Sequence, residues 1–267
     1  MRVAATAALA TVALVFAVAG CASAPGSTSA SPTRLEISAA ASLKQVLAKV
    51  TAAYTATNPG VSFAVSTDSS AALETKIEQG APADVFLSAD TKQPQKLLDA
   101  GLATGGVTPF AGNRLAVAVP AANPARIATP ADLARRGVKI VGAGDQVPIT
   151  TYATRLVDNL GKEPGYPADF AASYAANVVS REDNVSAIVA KLALGEGDAG
   201  IVYVTDATGV DGIATVAVPD SANVPATYGG VVVKASAAPD AAAAFLAWLT
   251  GPEARAMFAD AGFTPAP

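Results

Sequence analysis

The sequence has no histidine and only one cysteine, Cys21, in 267 residues. Histidine general bases, cysteine nucleophiles, Cys/His zinc sites and thiol redox chemistry therefore have nothing to work with. A disulfide within the chain has no second thiol. Charge is also sparse: Asp, Glu, Lys and Arg make up 15% of the residues, the formal net charge is −4, and no basic run exceeds the pair Arg135-Arg136. Gripping a nucleic-acid backbone takes clustered cations, so no nucleic-acid partner is expected. No G-x-S-x-G nucleophile elbow and no G-x-x-x-x-G-K-[ST] phosphate loop occurs. Only Ser/Lys or carboxylate catalysis survives in principle, and no motif places such a pair together.

What is present begins with an address. Met1-Arg2 precedes an apolar run over 3–20. The run is short for a membrane span and has no charged stop after it, so it reads as a signal peptide. It ends Val18-Ala19-Gly20-Cys21, which resembles the bacterial lipobox, where the cysteine is acylated and becomes the mature N-terminus. Lipidation of Cys21 explains a lone thiol in an exported chain. The stretch 22–32 is built from Ala, Ser, Thr, Pro and Gly; it buries too little to fold and reads as a tether. A signal peptide over 1–20, a lipidated tether over 21–33 and a location on the outer face of the cytoplasmic membrane are expected. A single acyl chain holds weakly, so a stable anchor needs more than one.

Beyond the tether, strand and helix patterns alternate. Strands are predicted over 34–38, 61–66 and 85–87, and helices over 43–57, 71–79 and 92–100. In the first helix Leu43, Val46, Leu47, Val50 and Tyr54 fall on one face, with Ser42 placed as its N-cap. Further strands are predicted over 115–119, 139–141, 178–179, 201–204, 213–218 and 231–233. Further helices are predicted from 130, over 151–160, 185–194 and 240–249, and over 252–261. This is an α/β chain with largely parallel sheets. It has too many strands for one simple unit, and two lobes are expected.

Several motifs are decoys. Gly195-Glu196-Gly197-Asp198-Ala199-Gly200 fits G-x-G-x-x-G, but it follows a helix and precedes a strand, the reverse of the dinucleotide-binding order, and reads as a polar turn. Gly142-Ala143-Gly144 lacks a third glycine. Asn184-Val185-Ser186 fits a glycosylation site, but Asn184 sits where a helix cap belongs. Asp84 and Asp90 are the most tempting carboxylate pair; they flank a strand, which holds them at opposite ends and favours a structural role.

Ser42, Ser69 and Ser70 lie at two helix starts that follow neighbouring strands. Each serine taken alone reads as an ordinary cap. Together they stand where parallel sheets bind ligands. Helix N-termini offer free N–H groups to an anion, and hydroxyls add neutral donors.

Larger segments carry a resemblance. Ser38-Ala39-Ala40-Ala41-Ser42-Leu43, Asp68-Ser69-Ser70, Gly80-Ala81-Pro82-Ala83-Asp84-Val85-Phe86-Leu87-Ser88-Ala89-Asp90 and Gly200-Ile201-Val202-Tyr203 resemble the periplasmic molybdate-binding proteins of ABC importers. So do Gly112-Asn113, Val147-Pro148 with Tyr152, and the tail from Gly251-Pro252-Glu253-Ala254 to Gly262-Phe263. The resemblance runs over 34–264 and implies a type II periplasmic binding fold. Each of its two lobes would be a mixed, mostly parallel sheet flanked by helices, with lobe 1 over 34–112 and 226–267, lobe 2 over 113–225, and a hinge between them. It implies a monomer that binds molybdate or tungstate, uses no cofactor and delivers its ligand to a membrane permease. Carried over residue by residue, it implies ligand contacts at Ser42, Ser70, Ile149, Val185 and Tyr203. The serines would donate through hydroxyl and backbone, Ile149 and Val185 through backbone N–H, and Tyr203 through its hydroxyl. Molybdenum would be held only as the oxyanion, with no direct metal ligand from the protein. Ile149-Thr150 stands where the family often has Ala-Gly, and Asp68 is unusual beside pocket serines; it is expected to face away or to accept from a loop N–H. Sulfate or phosphate is the alternative ligand. A ferric site lacks an evident ligand cluster, and a secreted hydrolase is the remaining reading.

Overall fold

The strand–helix alternation of the first hundred residues closes into a sheet flanked by helices on both faces. The computed structural model describes residues 32–266; the signal segment 1–20 and Cys21 with its tether up to residue 31 lie outside the described residues. Strand β1 (Thr33–Ala40) leads through a 3-10 turn (Ala41–Leu43) into α1 (Lys44–Thr57). Then come β2 (Val61–Asp68), α2 (Ser70–Glu78), β3 (Val85–Ser88) and α3 (Lys92–Asp99). Strand β4 (Ala103–Asn113) and β5 (Leu115–Pro120) follow, then a 3-10 turn (Pro130–Ala134), β6 (Ile140–Ala143), α4 (Pro148–Leu160) and α5 (Phe170–Asn177). The chain continues through β7 (Val178–Glu182), α6 (Val185–Ala193), β8 (Gly200–Tyr203), α7 (Val204–Ala207) and β9 (Ile213–Val216). It ends with β10 (Ala226–Val233), α8 (Pro239–Trp248) and α9 (Pro252–Asp260).

The first lobe is the five-stranded sheet β2-β1-β3-β10-β4. Its β1 runs parallel to both β2 and β3, while β10 runs antiparallel to β3 and β4. The second lobe holds the antiparallel sheet β8-β5-β9 and the parallel pair β6-β7. An isolated parallel bridge, Ile140 to Ala199, joins the two. Strand β4 ends in the first sheet at Asn113, β5 begins in the second sheet at Leu115, and β10 rejoins the first sheet from Ala226.

Alternation along the strands sorts the core. On one face of the first sheet Val85, Leu87, Tyr228 and Val232 pack with the buried face of α1. There Tyr54 makes edge contacts with Phe63, Phe245 and Trp248 at centroid distances of 5.7, 5.1 and 5.2 Å. Such pairs add roughly 0.5–1.5 kcal/mol each beyond area burial, so this cluster docks α1 on α8. On the other face Phe86, Val231 and Val233 pack with Leu73, Ile77 and Leu97 of α2 and α3.

Several boundaries differ from the periodicity. Ser42 does not cap α1: it lies inside the 3-10 turn, and Leu43 precedes the helix without a side-chain cap bond. The Ser42 hydroxyl is engaged elsewhere, by Tyr228. Helix α4 starts at Pro148 rather than 151, because proline suits the first helical position. The periodicity predicts neither strand β4 nor helix α5; β4 carries Gly105, Gly106, Pro109 and Gly112, residues poor in β-propensity, and pairs with β10 along its length. The G-x-G-x-x-G run is a turn, as its order implied. Gly195 takes φ +75° just after α6, and a Cβ on Gly200 would meet the Val141 carbonyl oxygen at 2.8 Å.

Asp84 and Asp90 stand at the two ends of β3, as the sequence suggests. The buried Asp84 is a three-way staple. Its Oδ2 accepts from the Glu36 N–H at 2.7 Å, and its Oδ1 accepts from the Ser236 hydroxyl at 2.6 Å and the Ala237 N–H at 3.1 Å. Asp90 Oδ1 accepts from the Ser88 hydroxyl and the Gln93 N–H. Removing Asp84 takes the acceptor from three part-buried donors, at roughly 1 kcal/mol each. Asp84→Ala should lower the melting temperature by roughly 5–12 °C for a chain of this size while leaving ligand affinity within about twofold. Thermal melts and titration check this, and a lost affinity with an unchanged melt would revive a functional carboxylate.

Candidate anion-binding site

Because β1 runs parallel between β2 and β3, three strand ends lie side by side. Ala40 pairs with Asp68 and Ala39 with Leu87, so the segments that follow each strand meet at one sheet edge. The first contributes Ser42 and the second Ser69 and Ser70. Ser69 is the true cap of α2: its hydroxyl accepts from the Ala72 N–H at 3.2 Å. Ser70 is thereby freed from capping and becomes the first helical residue. Its oxygen accepts from the Ala89 N–H at 3.0 Å, just past β3. A hydroxyl whose oxygen already accepts from the protein has its own hydrogen left to give.

The facing wall comes from the second lobe. Ile149 is the second residue of α4 and Val185 the first of α6. By position both N–H groups lack an intrahelical acceptor, and among the described residues no loop carbonyl accepts from either. Asn184 caps α6, its Oδ1 accepting from the Ala187 N–H at 3.1 Å. Tyr203 closes β8, is 1% exposed, and packs edge-on to Tyr152 and Tyr228. Its hydroxyl is buried without a hydrogen-bond partner. Burial, helped by Tyr228, Tyr152 and nearby carboxylates, holds this phenol well above its ordinary pKa, so it keeps its proton and stays a donor.

All five residues singled out from the sequence, Ser42, Ser70, Ile149, Val185 and Tyr203, line one small cavity. No residue lining it is charged. Three α-helix N-termini, those of α2, α4 and α6, converge there. The arrangement supplies hydrogen-bond donors and positive dipole ends without a cation or a general base. It is equipped to hold an anion and has no group to perform a reaction on it.

The departures in the second-lobe loop are accommodated. Thr150 donates its hydroxyl to the Ala143 and Gly144 carbonyls at 3.1 and 2.8 Å, tying the loop after β6 to the start of α4. Asp68 accepts from the Ser69 N–H at 2.8 Å, from Lys76 Nζ at 2.8 Å and from Asn184 Nδ2 at 3.3 Å. It accepts from a loop N–H, as expected, and is absent from the cavity wall. Burial pushes its carboxyl up, and Lys76, the Ser69 N–H and Asn184 together bring it below the usual range. The Asn184 bond also joins the two lobes beside the cavity. Sequence reasoning missed Tyr228, whose hydroxyl lies 2.8 Å from Ser42 Oγ, and Asp206, the carboxyl behind Tyr203. Neither belongs to a motif, and both are brought in by tertiary packing.

The profile of the bacterial extracellular solute-binding proteins matches residues 35–264. The molybdate-binding protein ModA of Mycobacterium tuberculosis is 34% identical over 256 residues, covering 94% of each chain. Among solved structures, the periplasmic molybdate-binding protein of Azotobacter vinelandii superposes with a TM-score of 0.74 at 24% identity, covering 87% of this chain and 100% of that one. The sulfate-binding protein SubI of M. tuberculosis superposes with a TM-score of 0.77 at 22% identity, covering 87% of each chain. At those identities the two structures speak for the fold alone.

Asp206 gives the site a pH signature. Part of the residue reaches solvent, but its Oδ2 is buried without a partner. Burial drives its carboxyl up to about 8, opposed only by the Tyr203 backbone N–H. Unfolded, the same group titrates near ~3.9. Between those values the native chain holds a proton that the unfolded chain has released. Stability therefore falls as pH rises from about 4 to about 8 and levels off above that. Asp206→Asn removes this dependence. Melts at pH 8 should show the variant at least about 5 °C above the parent, with the two converging near pH 4. Parallel curves across the whole range would show that Asp206 does not titrate in this way.

Proposed function

The chain belongs to the family of bacterial extracellular solute-binding proteins, and we propose that its ligand is molybdate, with tungstate, of the same shape and charge, as a second ligand. It is a binding component of an ABC importer, captures its ligand outside the cytoplasmic membrane and is not an enzyme. The observation that carries the ligand assignment is the Tyr203 hydroxyl. It is a protonated donor, buried without a partner, in the same uncharged cavity as Ser42, Ser70 and the N–H groups of Ile149 and Val185. An unpaired buried hydroxyl costs roughly 1–3 kcal/mol, and an oxyanion in the cavity would repay that cost.

Donors drawn from both walls make a closed cleft depend on its ligand. Those from Ser42 and Ser70 belong to the first lobe, proposed as 34–112 with 226–267; the others belong to the second, proposed as 113–225. A larger tetrahedral oxyanion reaches all the donors at once, and a smaller one leaves some unpaired in a dry site. This favours molybdate over sulfate. A phosphate that keeps its proton needs an acceptor, and the nearest candidate, Asp68, is already committed to Ser69, Lys76 and Asn184. The lipobox-like Val18-Ala19-Gly20-Cys21 supports acyl anchoring at Cys21, with the monomeric binding domain tethered beside its permease.

Calorimetric titration of the domain starting after the tether, stripped of ligand, tests the reading. Molybdate and tungstate should bind one-to-one, and sulfate at least about a hundredfold more weakly, the equivalent of roughly 2.8 kcal/mol. No heat with any of molybdate, tungstate, sulfate or phosphate from a folded protein would overturn the oxyanion assignment. Tyr203→Phe deletes one hydrogen bond to a charged ligand and should weaken molybdate binding roughly ten- to hundredfold with no loss of thermal stability in the ligand-free protein.

A further inference from the structure

Beneath the cavity lies a short chain of buried polar side chains whose hydrogen-bond direction is set from one end. We infer that Tyr228 and Asn113 are positioning residues that oblige Ser42 to act toward the ligand as a donor. This rests on Ser42 contacting the ligand, as proposed above.

The direction follows from what each group can give. Asn113, 0% exposed, ends β4 where the chain leaves the first lobe. Its Oδ1 accepts from the Arg114 N–H at 2.9 Å, which fixes which end of the amide is nitrogen. Its Nδ2 donates to Thr205 Oγ1 at 2.8 Å and, more weakly, to the Tyr228 hydroxyl at 3.4 Å. An amide nitrogen cannot accept, so the Tyr228 oxygen is the acceptor in that contact. Tyr228 has a single hydroxyl proton, which burial and the neighbouring Asp206 keep in place. The other side chain hydrogen-bonded to it is Ser42, at 2.8 Å, so the proton points there. The Ser42 oxygen then accepts, and its own hydrogen is left for the cavity. Ser70 reaches the same state more directly, through the Ala89 N–H. Both pocket serines thereby keep a hydroxyl hydrogen free to give to a ligand oxygen.

A double-mutant cycle read by calorimetric titration with molybdate tests the relay. Tyr228→Phe keeps the ring that packs against Phe110, Tyr203 and Phe263 and removes only the hydroxyl. It should weaken binding roughly tenfold, the size of one hydrogen bond, in the parent background. In the Ser42→Ala background it should have less than about a twofold effect. An equal loss in both backgrounds, or no loss in the parent, overturns the relay. Should Tyr228→Phe fail to fold, Asn113→Asp replaces it in the same cycle. Its carboxylate would accept the Tyr228 proton and turn the Ser42 hydrogen away from the cavity. Its loss should exceed that in the Ser42→Ala background by about tenfold; equal losses overturn the relay, because a merely electrostatic effect persists without Ser42. Parent protein that binds none of the oxyanions refutes the proposed function itself, whereas parent that binds and an additive cycle refute only the relay.

Discussion

The site depends on the parallel pairing of β1 with β2 and β3. A parallel strand delivers its C-terminal end to the same edge as its neighbours, and whatever follows each strand is gathered there. The register Ala40 to Asp68 and Ala39 to Leu87 puts the Ala41–Leu43 turn, the start of α2 and the end of β3 in contact. Ser70 can then take the Ala89 N–H, and Ser42 can stand beside it. A one-residue slip in either ladder would turn alternate side chains to the opposite face. It would carry Glu36 to the face that buries Leu35 and Ile37, and the apolar core thus enforces the register that builds the pocket.

Around that edge the protein resolves an electrostatic problem. A buried anion attracts counter-charge, and a lysine or arginine in the cavity would supply it, but a bulky flexible cation gives up shape selectivity. Here the countering field comes from helix N-termini and hydroxyls. Dipoles held by the backbone do not have to reorganise when the ligand arrives, and each charge-assisted hydrogen bond is stronger than a neutral one. The design requires that no other negative charge sit nearby. Asp68 is drawn aside by Lys76 and Asn184, and Asp206 is kept protonated by its own burial. Both carboxyls are close to the site and both are silenced, by opposite means.

Much of this was legible beforehand, for reasons particular to each element. The buried face of α1 showed in the spacing of Val46, Leu47, Val50 and Tyr54, because a surface helix repeats its apolar positions with the helical period. The reversed order around Gly195–Gly200 excluded a dinucleotide loop, because that chemistry needs a helix start and the sequence offers a helix end there. Other elements were invisible. The glycines and proline of β4 weaken a strand in isolation, and only the ladder to β10 holds them extended. Ser42 and Ser69 look alike as candidate caps; Ser69 caps and Ser42 does not, because a tyrosine 186 positions away claims the Ser42 hydroxyl.

The sequence by itself determined which chemistries are missing and the α/β class; it raised the export and acylation signals and, through its resemblance, the residues Ser42, Ser70, Ile149, Val185 and Tyr203 as expectations. These are properties of residue type and short-range spacing, which survive without coordinates. Only the tertiary structure decided that those residues share one uncharged cavity, that Tyr203 arrives there unpartnered, and that Asn113 and Ser42 both meet the Tyr228 hydroxyl. Hydrogen-bond direction and desolvation depend on which groups meet across long separations in the chain. No local pattern encodes that meeting; the packing of two lobes around one sheet edge creates it.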